Sequence, residues 1–100
     1  MVSRLVIPDV DTFDEMLDDG SYELATAIVD GILTQLPNDS ERLHIVEVYV
    51  EEEDGIYDLS VEKADIIETL QENLSWYEKE ENYEGCAKIV KAIETLRAEA

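Results

Sequence analysis

The chain of 100 residues has one cysteine, one histidine and only 7 basic residues, and each scarcity removes a class of function. A single thiol, Cys86, excludes an internal disulfide and points to a reducing compartment. Its place on an apolar helical stripe reads as a small core residue rather than a nucleophile. The lone His44 lies beside Val46 in a strand-like stretch, where a structural or surface role outweighs that of a general base. There is no glycine-rich phosphate loop and no GxSxG or HExxH pattern. No apolar run approaches the ~20 residues that cross a bilayer, and the opening MVSRLVIP is too short for a signal-peptide core. The expected location is therefore the cytoplasm, whether of the parent cell or of a host.

What is abundant is acid. Asp and Glu number 26 and the net charge is −19, while 45% of the residues are hydrophobic, enough for one domain with a modest core. Residues 9–72 hold 20 acids and 2 bases, a net −18, whereas residues 73–100 come to −2. Nucleic acid and anionic membrane are poor partners for such a surface, and a basic protein surface is a good one.

The order of elements follows from hydrophobic spacing. Val2 to Val10 is an apolar lead, strand or tail, which Pro8 limits to a sheet edge. Asp11 is the expected cap of a short helix through Leu17, stopped at Gly20. Ser21 opens a second helix, whose stripe Leu24, Ala25, Ile28, Val29, Ile32 and Leu36 ends at Pro37-Asn38; residues 38–42 read as a polar loop. Residues 43–61 read as a β-hairpin with Asp54-Gly55 as a two-residue turn. That register sets Glu53 opposite Ile56, Glu52 opposite Tyr57, Glu51 opposite Asp58, Val50 opposite Leu59 and Val48 opposite Val61. One face then collects Val46, Val48, Val50, Tyr57, Leu59 and Val61, and the other Glu47, Glu51, Glu53, Asp58 and Ser60. Ser60 is a plausible cap for a third helix with its stripe at Ile66, Ile67, Leu70, Leu74 and Tyr77. After a turn at Glu81-Asn82, Asn82 caps a fourth with Tyr83, Cys86, Ile89, Val90, Ile93 and Leu96. The expected fold class is α+β, with two helical hairpins flanking a central two-stranded antiparallel β-hairpin in the order α-α-β-β-α-α. A shift of 61 residues lays Tyr22-Glu23 on Tyr83-Glu84, Ile28-Val29 on Ile89-Val90, Ile32 on Ile93 and Thr34 on Thr95. Duplication and shared helical periodicity both account for that echo. Open hairpin edges favour a homodimer.

Calcium chemistry fails on spacing. An EF-hand loop with Gly55 at its sixth place would begin at Val50 and end at Val61, and one centred on Gly20 would put Leu17 third and Thr26 twelfth. No cofactor is implied. Trp76, Tyr77 and Tyr83 bracket the last helical turn, as core packing or as a partner-binding cluster. The remaining signal is the acid itself: Glu47, Glu51, Glu52, Glu53, Asp54 and Asp58 around the hairpin, with Asp18 and Asp19 at the end of the first helix. A solvated face is one reading. The other is a surface whose charge density approaches that of a duplex, with one phosphate per ~1.7 Å of axis.

Two resemblances bear on this. The stretch NLSWYEKEENYEGCAKIVKAIETL is similar to the helical hairpin of UVR-type motifs through Tyr83-Glu84, Cys86-Ala87 and Ile89. Val90-Lys91 replaces that family's Arg-Asp, so a repair function does not carry over. In size, acidity and helical hairpin the whole chain resembles the Arn-like anti-restriction DNA-mimic proteins of T-even phages. That resemblance implies a dimeric, non-enzymatic inhibitor that displaces DNA from a basic DNA-binding host protein, a nuclease or nucleoid protein. The alternative is an interaction module that binds one partner through its C-terminal aromatic hairpin, with acidity serving solubility.

Overall fold

The structure, a computed structural model, describes residues 2–36 and 41–99. The expected helix stop at Pro37-Asn38 and most of the 38–42 loop lie outside the described residues. The elements run β1 (Ser3–Ile7), α1 (Val10–Asp19), α2 (Tyr22–Gln35), β2 (Arg42–Val50), β3 (Gly55–Glu62), a 3-10 turn (Lys63–Asp65), α3 (Ile66–Lys79) and α4 (Tyr83–Glu99). The class is α+β, as expected, but the sheet has three strands in the order β1-β2-β3. The apolar lead is a strand, and it pairs with β2 in parallel, Ser3 beside Val46 through Ile7 beside Val50. Parallel neighbours need a crossover connection, which α1 and α2 supply. Pro8 follows the last paired residue, and its carbonyl accepts a hydrogen bond from the Glu52 N–H (3.0 Å).

Helix starts follow side-chain capping. Asp9, not Asp11, caps α1: its carboxylate accepts from the Thr12 N–H at 2.7 Å, which also holds the Asp9 carboxyl below its ordinary range. Ser21 caps α2 through the Leu24 N–H (3.0 Å), and Asn82 caps α4 through the Gly85 N–H (2.9 Å). Ser60 caps nothing. It is paired with His44 inside β3, which continues to Glu62 before the 3-10 turn leads into α3. Reading Ser60 as a cap misplaced this start because a strand can run straight into a 3-10 turn without a side-chain cap.

The hairpin is where expectation and structure part. Val50 pairs with Gly55, Tyr49 with Ile56, Val48 with Tyr57, Glu47 with Asp58 and Val46 with Leu59, so the loop holds four residues, 51–54. Asp54 takes the left-handed conformation (φ 51), while Gly55 is an ordinary strand residue. The two-residue reading failed because Asp fits the left-handed region without a glycine partner. A second irregularity separates His44 from Val46, where Ile45 is the extra residue of a β-bulge. Below the bulge the pairing is His44 with Ser60 and Leu43 with Val61.

Helices cover one face of the sheet. Leu43, Ile45, Val46, Val48 and Val50 of β2 are all at most 3% exposed, packed in one core with Val29 and Ile32 of α2, Ile66 and Leu70 of α3, and Ile89 of α4. Among the described residues no polar or charged side chain is fully buried. The helical echo carries over to packing only in part: Ile32 and Ile93 are both buried, whereas Val29 is buried and Val90, its counterpart, is exposed. The opposite sheet face is open. Its rows are Val6-Tyr49-Ile56, then Arg4-Glu47-Asp58, then His44-Ser60, so it is less acidic and more apolar than the sequence suggested.

Helix α2 meets the sheet at the bulge. A Cβ on Gly31 would lie 2.2 Å from the Ile45 carbonyl oxygen, and one turn later the Gln35 amide donates to the His44 carbonyl. Gly31→Ala is therefore expected to cost about 1–3 kcal/mol through overpacking. Gly55→Ala, whose Cβ would meet only ordinary contacts beyond 3.6 Å, should stay within about 0.5 kcal/mol. Urea unfolding of both variants checks the pair; a two-residue turn with left-handed Gly55 would raise the cost of Gly55→Ala to about 1–2 kcal/mol.

Candidate functional site

The acids proposed from sequence fall into three places. Glu51, Glu52, Glu53 and Asp54 form the β2–β3 turn, all exposed. Glu47 and Asp58 face each other across β2 and β3 on the open sheet face. Asp18 and Asp19 stand at the far end of α1 beside Gly20, a helix length of ~15 Å from its start near the turn.

The turn is held from several sides. The Glu51 N–H donates to the Ile7 carbonyl (3.0 Å) and the Glu52 N–H to the Pro8 carbonyl, which ties the loop to the end of β1. The Asp54 N–H closes the turn on the Glu51 carbonyl at 3.3 Å. Two phenols then take hold of carboxylates: Tyr57 donates to Glu53 (2.7 Å) and Tyr49 to Asp54. Each carboxylate acceptor raises the ionisation range of its tyrosine above the ordinary value. Four consecutive acids repel one another, and fixing two of them on phenol donors and the backbone on β1 restricts how far they can splay.

Helix α1 extends this surface. Phe13 packs on Tyr57 with ring centroids 5.8 Å apart, and the Asp14 charge lies near enough to the Tyr57 phenol to disfavour its ionisation. Asp11, Asp14, Glu15 and Asp18 are exposed and recur at three- and four-residue spacing, so they share one face of the helix. Only the last of these was picked out from the sequence. The missed signal was the i, i+3, i+4, i+7 spacing of the acids, obscured by reading Asp11 as a cap.

Glu47 and Asp58 differ in kind, because basic side chains accompany them. Arg4 Nη2 lies 3.5 Å from Glu47, and His44 Nε2 lies 3.0 Å from Asp58. The like-charge pair expected at Glu51 and Asp58 is thus a Glu47 and Asp58 pair, with Arg4 beside one member and His44 beside the other. Arg42 and Glu62 form a further exposed pair (3.1 Å) at the end of the same face.

The aromatic cluster of the C-terminal hairpin is divided by the fold. Tyr77 is 4% exposed and stacks edge-on against Tyr22 (5.6 Å), and burial pushes its phenol up to about 12. Trp76 lies half-buried over Gly20 with Lys79 4.7 Å from its ring, while Tyr83 is 69% exposed. Gly85 leaves room for the Tyr77 ring, so the α3–α4 hairpin closes on its own aromatic residue. Between α2 and α4 a groove of about 470 Å³ is lined by Leu33, Leu36, Ala92 and Leu96, with Lys88 and Lys91 beside it. No helix among the described residues is long and apolar enough to cross a membrane.

No protein-family model matches the chain, and neither curated proteins nor solved structures show a significant similarity to it.

Two outcomes are expected of the tyrosines. Tyr49→Phe and Tyr57→Phe should speed amide exchange at Glu52, Glu53 and Asp54 while global unfolding shifts little, because both bonds are exposed. Tyr77 has a folded value above its unfolded one, so its contribution to stability is complete below about pH 10 and is lost as pH rises toward 12. Alkaline unfolding followed by circular dichroism should be measurably less steep across that window in Tyr77→Phe, after correction for that variant's own stability at neutral pH.

Proposed function

We propose that this protein is a non-catalytic acidic binding protein that occupies the basic DNA-binding surface of another protein and competes with DNA there. The observation that carries the reading is the four-acid turn, clamped by Tyr49, Tyr57 and the end of β1 and continued by the acid face of α1. A DNA-binding groove presents Lys and Arg at positions set by phosphate spacing, so an acid surface competes well only when its carboxylates are held in place. Anchored acids lose less conformational freedom on binding than freely rotating ones. The Arn-like resemblance in size and charge agrees with this reading, and a homodimer would double the acid surface.

The alternative, a module built on the C-terminal aromatic residues, has less to work with, because Tyr77 is in the core and Trp76 is half-covered. The decisive comparison uses the wild-type chain, Glu51/Glu52/Glu53→Lys, and Asp14/Glu15/Asp18→Lys as baits in bacterial lysate. Proteins recovered are then tested for displacement of a labelled duplex. Wild-type chain is expected to recover DNA-binding proteins and to displace the duplex with an affinity that falls steeply and linearly in log salt. Each triple reversal should weaken displacement by at least about tenfold. Equal recovery by all three baits, insensitive to salt, would remove the decoy reading.

A further inference from the structure

The bulge at Ile45 has a chemical effect on the open face of the sheet. Side chains alternate along a strand, so residues three apart should point to opposite faces. The extra residue at Ile45 cancels that alternation, and His44 and Glu47 come to the same face. There Asp58, opposite Glu47 on β3, completes a trio in which one donor atom from each of His44, Glu47 and Asp58 lies within 4.8 Å of the others. The bulge itself is held by α2, through the space left at Gly31 and the Gln35 bond to the His44 carbonyl. The trio's backbone is therefore braced by the core packing of a helix, on elements rather than loops.

His44 Nε2 is closed off from solvent and makes no directed hydrogen bond. Asp58 is 3.0 Å away, but off the direction a ring N–H would need, so the contact is one of proximity without an aligned hydrogen bond. A shielded imidazole nitrogen left without an oriented partner, facing two carboxylates, has the donor set of a metal site.

We propose that His44, Glu47 and Asp58 bind one divalent transition ion of the zinc class. Bonds of about 2.0–2.2 Å place two ligands of one ion at most ~4.4 Å apart, so small side-chain rotations close the trio. Three protein donors leave at least one position for water or for a donor from a partner. The imidazole selects zinc, nickel or copper over magnesium and calcium, which prefer oxygen alone. Arg4 works against the ion, since its guanidinium lies 3.5 Å from Glu47 and must swing away. The site stands apart from the decoy reading, because metal binding is read without any partner.

The test is a calorimetric titration of the apo protein with zinc chloride in about 0.5 M sodium chloride, where the Debye length is a few ångströms and diffuse counterion binding is suppressed. One equivalent per chain is expected. Affinity should fall at least tenfold in His44→Gln, Glu47→Gln and Asp58→Asn, and rise several-fold in Arg4→Gln. Asp18→Asn/Asp19→Asn should leave it unchanged, and equimolar magnesium should not compete. In the wild-type chain, imidazole nitrogen resonances of His44 should shift on zinc addition, a readout that does not depend on how any variant folds. Unchanged imidazole resonances, equal affinity in folded His44→Gln, or effective competition by magnesium would each overturn the assignment.

Discussion

The close contact between α2 and the central strand is the constraint on which the rest of the structure depends. β2 is paired on both edges and buried along one face, so its register decides what reaches solvent. A uniform strand would have placed His44 and Glu47 on opposite faces, with one of them directed into a core that holds no charged side chain among the described residues. The bulge at Ile45 avoids this, and it is stable because a helix approaches within van der Waals reach of its carbonyl at Gly31. Gln35 also donates to the His44 carbonyl, a second tie between α2 and the bulge.

Periodicity made most of the elements legible. The stripes of α2 and α3, the caps at Ser21 and Asn82 and the stop at Gly20 could all be read from residue spacing, because each depends on neighbours within about one turn. What could not be read depends on distant residues. β1 finds its partner more than forty positions away, and its pairing in parallel with β2 leaves no local mark. Asp54-Gly55 is a strong hairpin signal, yet bonds from Glu51 and Glu52 to the end of β1 favour a wider loop. The bulge is set by a glycine on another element. A four-residue difference in register changed the acid pair from Glu51 and Asp58 to Glu47 and Asp58, and with it the identity of the neighbouring basic side chains.

The candidate site was legible in composition but not in arrangement. Counting acids located the turn and the end of α1, while the face joining Asp11, Asp14, Glu15 and Asp18 emerges only once Asp9 is seen to be the cap. Tyr49 and Tyr57 were assigned to no role and to the core respectively, although both phenols hold acids of the turn. Their signal was present in the sequence as tyrosines flanking an acidic run, and its meaning depended on the true register.

The charge of −19 is thus distributed in two different ways. On the open sheet face, Arg4 and Arg42 lie within 3.5 Å of Glu47 and Glu62 and locally offset the potential, and His44 lies 3.0 Å from Asp58. Around the turn Glu53 and Asp54 accept from phenols and the backbone of Glu51 and Glu52 is tied to the end of β1, contacts that fix position without neutralising charge. Exposed ion pairs add little to stability, so stability alone does not explain where the few bases lie. Their effect is on the field: a basic partner approaching from solution is attracted to the turn and α1 and much less to the sheet. A cation bound by His44, Glu47 and Asp58 would sharpen that contrast by adding positive charge to the face that is already compensated.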